Sequence, residues 1–200
     1  MDLTDIRENY RNFDDEKIEI IATEEVGSLR PEVIFILKEE IARRNLDKNL
    51  VASIDLQTRV LTETEFKEYY EILRNHSCPT CNSRTNKINA TMVGQVVSII
   101  LLTNYEKRLK VACSDCLDTL HKKANIKSAL LGWWAFPWGP IQTIRSFIFN
   151  SSMKRYNRTE KPNEIFSSFV KDNIGILEGA KTDPNKLTVL INRTNYEMGR

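Results

Sequence analysis

The sequence predicts an α+β protein: a small N-terminal helical unit, a four-cysteine zinc ribbon with a β-hairpin, and broken apolar helices towards the C-terminus. Three observations predict this class. Apolar residues recur at helical spacing from Asp14 to Asn75. Two Cys-X-X-Cys pairs then flank a stretch rich in β-branched residues. An uncharged stretch with all three tryptophans follows, and prolines interrupt it. We therefore expect segments over residues 1–75, 76–118, 119–150 and 151–200.

The charge of the chain is distributed unevenly between its two halves. Residues 1–76 hold 11 Lys/Arg against 18 Asp/Glu, a net charge of −7, and residues 77–200 hold 18 against 9, a net charge of +9. The basic half favours an anionic partner such as phospholipid or nucleic acid, or else it forms a solvated surface. The acidic first residues lack the pattern of a secretory signal. We therefore expect a cytoplasmic protein, peripheral or integral at a membrane.

Helix signals follow one another in the acidic first part, and we expect helices that begin near Asp14, Pro31, Lys48 and Thr62. Asp14 precedes two further acids, which favour the positive end of a helix dipole. Pro31 suits the first turn of a helix, and Thr62 with Glu65 has the capping-box form. The second of these helices is expected to end at Asn45 or Asp47. The aromatic residues of this part are interpreted as core or docking surface.

All four cysteines of the chain form two pairs with the same spacing, Cys78 with Cys81 and Cys113 with Cys116. Two intervening residues let both thiolates of a pair face one point, and four thiolates form the closed shell of a structural zinc site. We predict one structural Zn²⁺ bound by these four residues. A redox role for either pair requires a thioredoxin-like context, which the flanking sequence lacks. His76 and His121 are interpreted as surface residues or as neighbours of the metal site.

The residues between the cysteine pairs predict a β-hairpin. Gln95–Thr103, which includes Ile100 and Leu101, is rich in β-branched and aliphatic residues and indicates a strand. The polar run Tyr105–Arg108 is expected to turn the chain, and Leu109–Cys113 alternates as a second strand does. A helix is expected to follow Cys116 and to extend to Lys123.

The stretch Ser128–Thr143 is uncharged and contains all three tryptophans. A membrane-spanning helix needs about 20 apolar residues, whereas prolines interrupt this stretch, so we expect two helices joined at residues 136–140. Tryptophan favours the membrane interface, and flanking Lys/Arg neutralise anionic headgroups. Residues 126–150 thus either insert at a membrane or form a core between ribbon and tail. The expected docking residues, for a membrane surface or a protein partner, are Trp133, Trp134, Phe136, Pro137, Trp138 and Pro140.

The C-terminal tail contains a second stretch with aromatic residues, Ile165–Val170, which includes Phe166 and Phe169. Breaks are expected at Gly175 and Gly179, and a short helix or strand is expected around Leu187–Ile191.

The order of these motifs resembles a group of uncharacterised, mostly bacterial zinc-ribbon proteins. In that group a Gly-Trp-Trp-Gly-X-Pro-Trp-Gly segment follows the second cysteine pair, as Gly132 to Gly139 does here. The resemblance covers about residues 76–150, and Ala135 stands where the usual form has glycine. It implies a metal-binding module close to a membrane, and it brings no activity or catalytic residues with it.

Enzyme signatures are absent from the sequence. It contains no P-loop, no dinucleotide-binding glycine motif, no nucleophile elbow and no His-Glu-X-X-His. We therefore expect no catalytic residues and a non-catalytic adaptor that docks on a membrane or a protein. The alternative is a nucleic-acid-binding zinc ribbon, with Lys107, Arg108 and Lys110 at the hairpin tip on phosphate and Tyr105 stacked on a base.

Overall fold

The structure, a computed structural model, describes residues 2–99 and 102–197 as a mostly helical α+β protein with one antiparallel β-hairpin. The helices before the hairpin are α1 (Leu3–Asn12), α2 (Asp15–Ile20), α3 (Pro31–Arg44), α4 (Asn49–Gln57) and α5 (Glu63–Arg74). The hairpin strands are β1 (Ile88–Ile99) and β2 (Leu102–Cys113). The helices after it are α6 (Ser114–Leu131), α7 (Trp138–Lys154), α8 (Glu164–Asp172), α9 (Ile174–Gly179) and α10 (Pro184–Glu197). The predicted α+β class is confirmed.

The chain divides into two compact units, and each is discontinuous in sequence. Unit 1 contains residues 1–69 and 170–187, and unit 2 contains residues 70–169 and 188–200. The boundaries between them fall within α5, α8 and α10. The expected division into segments 1–75, 76–118, 119–150 and 151–200, each with its own role, stays a prediction.

Unit 1 is helical, and its local sequence signals act as expected. The Asp14 carboxylate accepts a hydrogen bond from the Lys17 N–H at 2.7 Å and caps α2, which continues as a π-helix over Ile21–Glu25. Thr62 and Glu65 form the reciprocal capping box of α5. Asn45 ends α3 in a left-handed conformation. Helix α1 has no counterpart among the helices expected from the sequence. The core of the unit is Ile6, Tyr10, Ile18, Ile21, Ala22, Val26, Val33, Ile36, Leu37, Ile41, Leu50 and Ile54.

One carboxylate, Glu40 of α3, is buried at the margin of this core. Arg43 Nη2 and Arg44 Nε each donate to Glu40 Oε1 at 2.6 Å. Arg44 also donates to the Asp15 carboxylate and to the Tyr10 carbonyl oxygen, so it links α3 to the N-terminal helices. Hydrogen bonds from Arg43 outweigh the opposing effect of burial, and Arg44 adds to them, so the pKa of Glu40 falls to about 2.

Unit 2 is built on the hairpin, whose register runs from Ile88 opposite Cys113 to Ile99 opposite Leu102. The predicted turn at Tyr105–Arg108 is wrong, because these residues lie within β2 and pair with β1. The last described pair of the register is Ile99 with Leu102, and the part of the predicted strand at Ile100 and Leu101 lies outside the described residues.

Several other boundaries differ from those expected. The helix expected after Cys116 begins earlier, at Ser114, and extends to Leu131. Gly175 lies inside α9 instead of breaking it. The short C-terminal element is a helix of 14 residues. The two helices predicted in the tryptophan segment are confirmed, but the break between them lies at residues 132–137 and not at 136–140, because Trp138, Gly139 and Pro140 form the first turn of α7.

Replacing Glu40 by glutamine is expected to lower the free energy of unfolding by about 2 kcal/mol at neutral pH, because two arginines lose a charged acceptor. A carboxylate whose pKa is lowered on folding stabilises the folded state above its unfolded pKa of about 4.5. This stabilisation disappears as the pH falls towards 2. The difference between wild type and Glu40→Gln should therefore shrink over that interval in urea unfolding followed by circular dichroism.

Glu39→Gln is the matched control, because Glu39 pairs with Arg7 on the surface. Its effect should stay below about 0.5 kcal/mol. A Glu40→Gln deficit that is the same in acid as at neutral pH would contradict this role for the carboxylate.

Candidate metal centre and aromatic end

The first cysteine pair lies on a tight turn between α5 and β1. The Asn82 N–H donates to the Cys78 carbonyl oxygen at 2.7 Å, and the Cys78 N–H donates to the Ser83 carbonyl oxygen at 3.0 Å. Asn82 has a φ of 56°, a left-handed conformation that asparagine tolerates well. The turn therefore closes directly after Cys81, with Cys78 buried and Cys81 exposed.

The second pair lies where β2 ends and α6 begins. Cys113 is the last residue of β2 and the N-cap of α6, and Cys116 lies in the first helical turn. The register places Cys113 opposite Ile88, so this pair is at the base of the hairpin. The positive end of the α6 dipole lies at the second pair, which favours the thiolate form.

The four cysteines converge as predicted. Their sulfur atoms all lie within 4.8 Å of one another, and Cys81 Sγ lies 3.7 Å from Cys113 Sγ. A tetrahedral site with metal–sulfur bonds of about 2.3 Å has sulfur–sulfur edges of about 3.8 Å. All four thiols are free of disulfide bonds. The cluster is therefore able to hold one metal ion.

The protein environment prepares the four sulfurs unequally. Burial raises the pKa of Cys78, but the N–H groups of Cys113, Thr80 and Cys81 outweigh burial, so the pKa falls to about 7. The Cys113 N–H lies 3.4 Å from Cys78 Sγ. Burial raises the pKa of Cys113 and Cys116 above the ordinary value. A divalent cation favours all four thiolates, because it adds a positive charge at the point where they meet.

Few apolar groups surround the cluster. The buried residues are Cys78, Ala112, Cys113 and Leu117, with Cys116 and Leu120 packed against them. A bound ion would add a direct link between the two pairs, because each pair supplies two of the four ligands.

Neither histidine belongs to the cluster. His76 is half-buried, and its Nε2 lies 2.9 Å from Thr188 Oγ1. His121 is buried, with Nε2 at 3.2 Å from Thr91 Oγ1 and Nδ1 at 3.4 Å from Asn150 Oδ1. The interpretation of His121 as a surface residue is therefore wrong.

The outer edge of β1 is covered by polar side chains of α6 and α7. The Gly94 N–H donates to Asn150 Oδ1 at 2.8 Å, and Asn150 Nδ2 donates back to the Gly94 carbonyl oxygen at 2.7 Å. Ser146 also donates to the Gly94 carbonyl oxygen, and the Val96 N–H donates to Ser128 Oγ. These side chains replace a neighbouring strand, because buried backbone groups need partners.

The same two helices turn large apolar side chains towards the outside. Among the positions of α7 that are buried are Gly139, Thr143, Ser146 and Asn150. The exposed apolar side chains are Ile126, Leu130 and Leu131 of α6 and Ile141, Ile144 and Ile148 of α7. This arrangement is the reverse of that in a water-soluble globular domain, where the apolar face of a helix faces the core.

The glycines of the tryptophan segment allow α6 and α7 to approach closely. A Cβ on Gly132 would overlap Thr143 Oγ1, and a Cβ on Gly139 would overlap the Gly132 carbonyl oxygen. Ala135 is buried without a positive φ, so its backbone conformation does not require glycine. Ser98 of β1 donates to the Gly132 carbonyl oxygen at 2.9 Å and ties this loop to the hairpin.

The far end of unit 2 therefore gathers exposed apolar residues from β1, β2, the segment between α6 and α7, and the start of α7. We name as the aromatic end Trp133, Trp134, Phe136 and Trp138 together with Ile99 and Leu102 of the hairpin. All six are exposed, with 88% of Phe136 and 70% of Trp134 accessible to solvent. Of the predicted docking residues, Pro137 is also exposed and Pro140 is half-buried. Eleven residue steps of about 3.4 Å separate this end from the cysteines, a distance of about 37 Å.

The cations expected at the hairpin tip lie within β2 instead. Arg108 binds the Glu106 carboxylate, and Lys110 donates to the Asn195 carbonyl oxygen. Lys107 lies over the ring of Phe149, 4.6 Å from its centroid. The predicted cationic tip is therefore wrong, because it depended on the misplaced turn.

No helix in the described part of the chain combines the length and the apolar composition needed to cross a bilayer. The comparisons with known proteins give no match to a family model, a curated protein or a solved structure. The sequence and geometry of this chain therefore carry the functional argument.

Purified protein is expected to bind one divalent ion per chain, measured by elemental analysis. Cobalt substitution should give the absorption spectrum of a tetrahedral site with four thiolates, because four sulfurs converge on one point. Cys81→Ser removes an exposed ligand and should weaken ion retention during dialysis against a chelator. Thr80→Ser, in the same turn, should retain the ion as wild type does. Equal retention by both variants would contradict the four-cysteine site.

Proposed function

We propose that this protein is a non-catalytic module in which a structural zinc ion organises the hairpin base and the aromatic end docks on a membrane surface. The observation that carries the proposal is the reversed packing of α7 and of the last two turns of α6, with small side chains inside and large apolar ones outside.

Zinc is supported by the chemistry of the donor set. Four thiolates at tetrahedral spacing suit a closed zinc site, which leaves no position for a catalytic water. Binding free energies for such sites are about 10–16 kcal/mol, comparable to the stability of a whole domain. The ion would hold the first pair, on a loop, to the base of the hairpin.

A membrane interface is the partner that suits the aromatic end. Tryptophan concentrates at the headgroup level of bilayers, and all three tryptophans of the chain are exposed here. A contiguous apolar surface of this kind is costly to leave in water. In a bilayer the same surface is buried, and the backbone groups of Gly94 and Val96 already have partners from α6 and α7.

The charge around the aromatic end complements anionic lipid. Residues 119–159 contain seven Lys/Arg and no Asp/Glu. They include Lys122, Lys123 and Lys127 on α6 and Arg145 on α7, all exposed. Basic residues next to an inserted apolar segment add about 1 kcal/mol each on anionic membranes. A protein partner would not require this excess of positive charge, so the membrane is the favoured occupant.

Removing two aromatic side chains tests the membrane proposal. Trp134→Ser with Phe136→Ser should weaken binding to vesicles that contain phosphatidylserine by about 100-fold or more, because each buried aromatic contributes about 1.5–3 kcal/mol. Flotation measures the binding. Wild-type tryptophan emission should also shift to shorter wavelength on vesicles and be quenched by brominated lipid, since every tryptophan lies in this segment.

Phe35→Ser is the matched control, because Phe35 is an exposed aromatic residue of unit 1. It should bind vesicles as wild type does. If wild-type emission is unchanged on both neutral and anionic vesicles, the membrane proposal is wrong and the aromatic end is left for a protein partner.

Zinc is tested separately by the metal content of protein purified without added metal, where zinc should predominate. Chelation should accelerate amide hydrogen exchange near Ile88 at the hairpin base more than near Val96, because the cysteines close the base. Iron in place of zinc, or unchanged exchange after metal removal, would contradict the structural zinc site.

A further inference from the structure

A second site lies beside the cysteine cluster, in a cavity of about 520 Å³ within unit 2. Its walls come from the end of α5, the segment before β1, the start of α6 and the turn after α7. Three basic side chains line it, those of Arg74, Lys87 and Arg158. The size is that of a small-molecule site, and the basic lining favours an anion.

Arg74 is the unusual member of this set, because its guanidinium group is buried without a carboxylate bonded to it. Arg74 is only 2% exposed to solvent. Its Nη2 donates hydrogen bonds to the carbonyl oxygens of Thr159 and Glu160, at 3.2 and 2.8 Å. Its Nε and Nη1 have no hydrogen-bond partner among the described residues. A buried charge with two unpaired hydrogen-bond donors destabilises the folded state. An anion that binds these donors would remove that cost.

A neighbouring side chain is also incompletely bonded. Asn157 Nδ2 donates to the Asp118 carboxylate at 2.9 Å, whereas its Oδ1 is buried without a partner among the described residues. Arg74 requires acceptors and Asn157 requires a donor. A ligand with both anionic oxygens and a hydroxyl group, such as hydrogen phosphate, meets both requirements.

The other two cations are held at the mouth of the cavity by acidic neighbours. Arg158 donates to the carboxylates of Asp115 and Asp118, and Lys87 lies 3.6 Å from the Glu71 carboxylate. These carboxylates partly neutralise the two cations but also fix their positions. Arg74, in contrast, donates only to backbone carbonyl oxygens among the described residues.

We propose that this cavity binds a small phosphate-class anion, inorganic phosphate or a phosphate monoester, on Arg74, Lys87 and Arg158. The planar guanidinium group can bind two phosphate oxygens at once. Ser114, which also lines the cavity, is the first residue of α6, and the N-terminus of a helix favours anions. Arg74 lines the cavity while its Nε and Nη1 are buried, so anion binding to these two donors requires a local rearrangement of the lining. The anion comes from solution, because the cavity lies at the hairpin base, opposite the aromatic end.

Calorimetric titration of the zinc-loaded full chain with inorganic phosphate tests the proposal, with chloride at matched ionic strength as the reference. Lys87→Gln should weaken phosphate binding about tenfold, because a charge-assisted hydrogen bond is lost. Arg84→Gln is the matched control, since Arg84 is an exposed cation nearby that does not line the cavity. It should change binding by less than about twofold.

Arg74→Gln should abolish phosphate binding, and Arg74→Lys should restore part of it. If Arg74→Gln does not fold, the comparison of Lys87→Gln with Arg84→Gln remains decisive, because both side chains are on the surface. Equal weakening in those two variants, or no heat beyond that of chloride, would overturn the site. If the protein binds vesicles of phosphatidic acid but neither glycerol phosphate nor inorganic phosphate, the ligand is a lipid headgroup and the proposal of a soluble anion is wrong.

Discussion

The backbone groups along the outer edges of the two-stranded hairpin need hydrogen-bond partners, and the rest of unit 2 depends on this requirement. Such a hairpin is unstable alone, and its outer backbone groups require partners. Asparagine and serine side chains supply them on both sides: Asn150, Ser146 and Ser128 bond to β1, and Asn195 of α10 exchanges two hydrogen bonds with Val111 of β2. Helices that present their polar side to a strand must present their apolar side elsewhere. The exposed apolar surface of α6 and α7 is therefore a direct consequence of how the hairpin edge is covered.

The cysteine cluster meets a different requirement, at the opposite end of the hairpin. The first cysteine pair lies on the turn that precedes β1, and the second pair lies where β2 passes into α6. Four sulfurs around one ion would join these segments and fix the start of α6 at the same time. The direction of α6 then determines where the tryptophan segment lies. In the proposed function, metal binding and membrane docking are thus connected through one helix.

The sequence predicted those features that depend on local chemistry and failed where tertiary packing decides. Cysteine spacing predicted the cluster, and Asp14, Pro31 and Thr62 predicted helix starts, because capping groups act within one turn. The turn was misplaced because Tyr105–Arg108 is polar; in β2, Glu106 and Arg108 instead share one face and bind each other. His121 was interpreted as a surface residue, and no structural role was predicted for Ser146 or Asn150, although all three are buried. Only the open edge of β1 explains why they are buried, and no periodicity in the sequence contains that information.

The positions of the charges limit how deeply the proposed docking surface enters a bilayer. Lys127 lies four residues before the end of α6, and Arg145 lies seven residues after the start of α7. At a rise of about 1.5 Å per residue, helices along the membrane normal would insert by about 6–10 Å before these cations reach the hydrocarbon. Deeper insertion buries charge at high cost, and shallower insertion leaves Phe136 in water. This depth matches that of interfacial proteins, which embed about 5–10 Å. No helix in the described part of the chain is long and apolar enough to cross a bilayer. A docking surface bounded by Lys127 and Arg145 does not require such a helix.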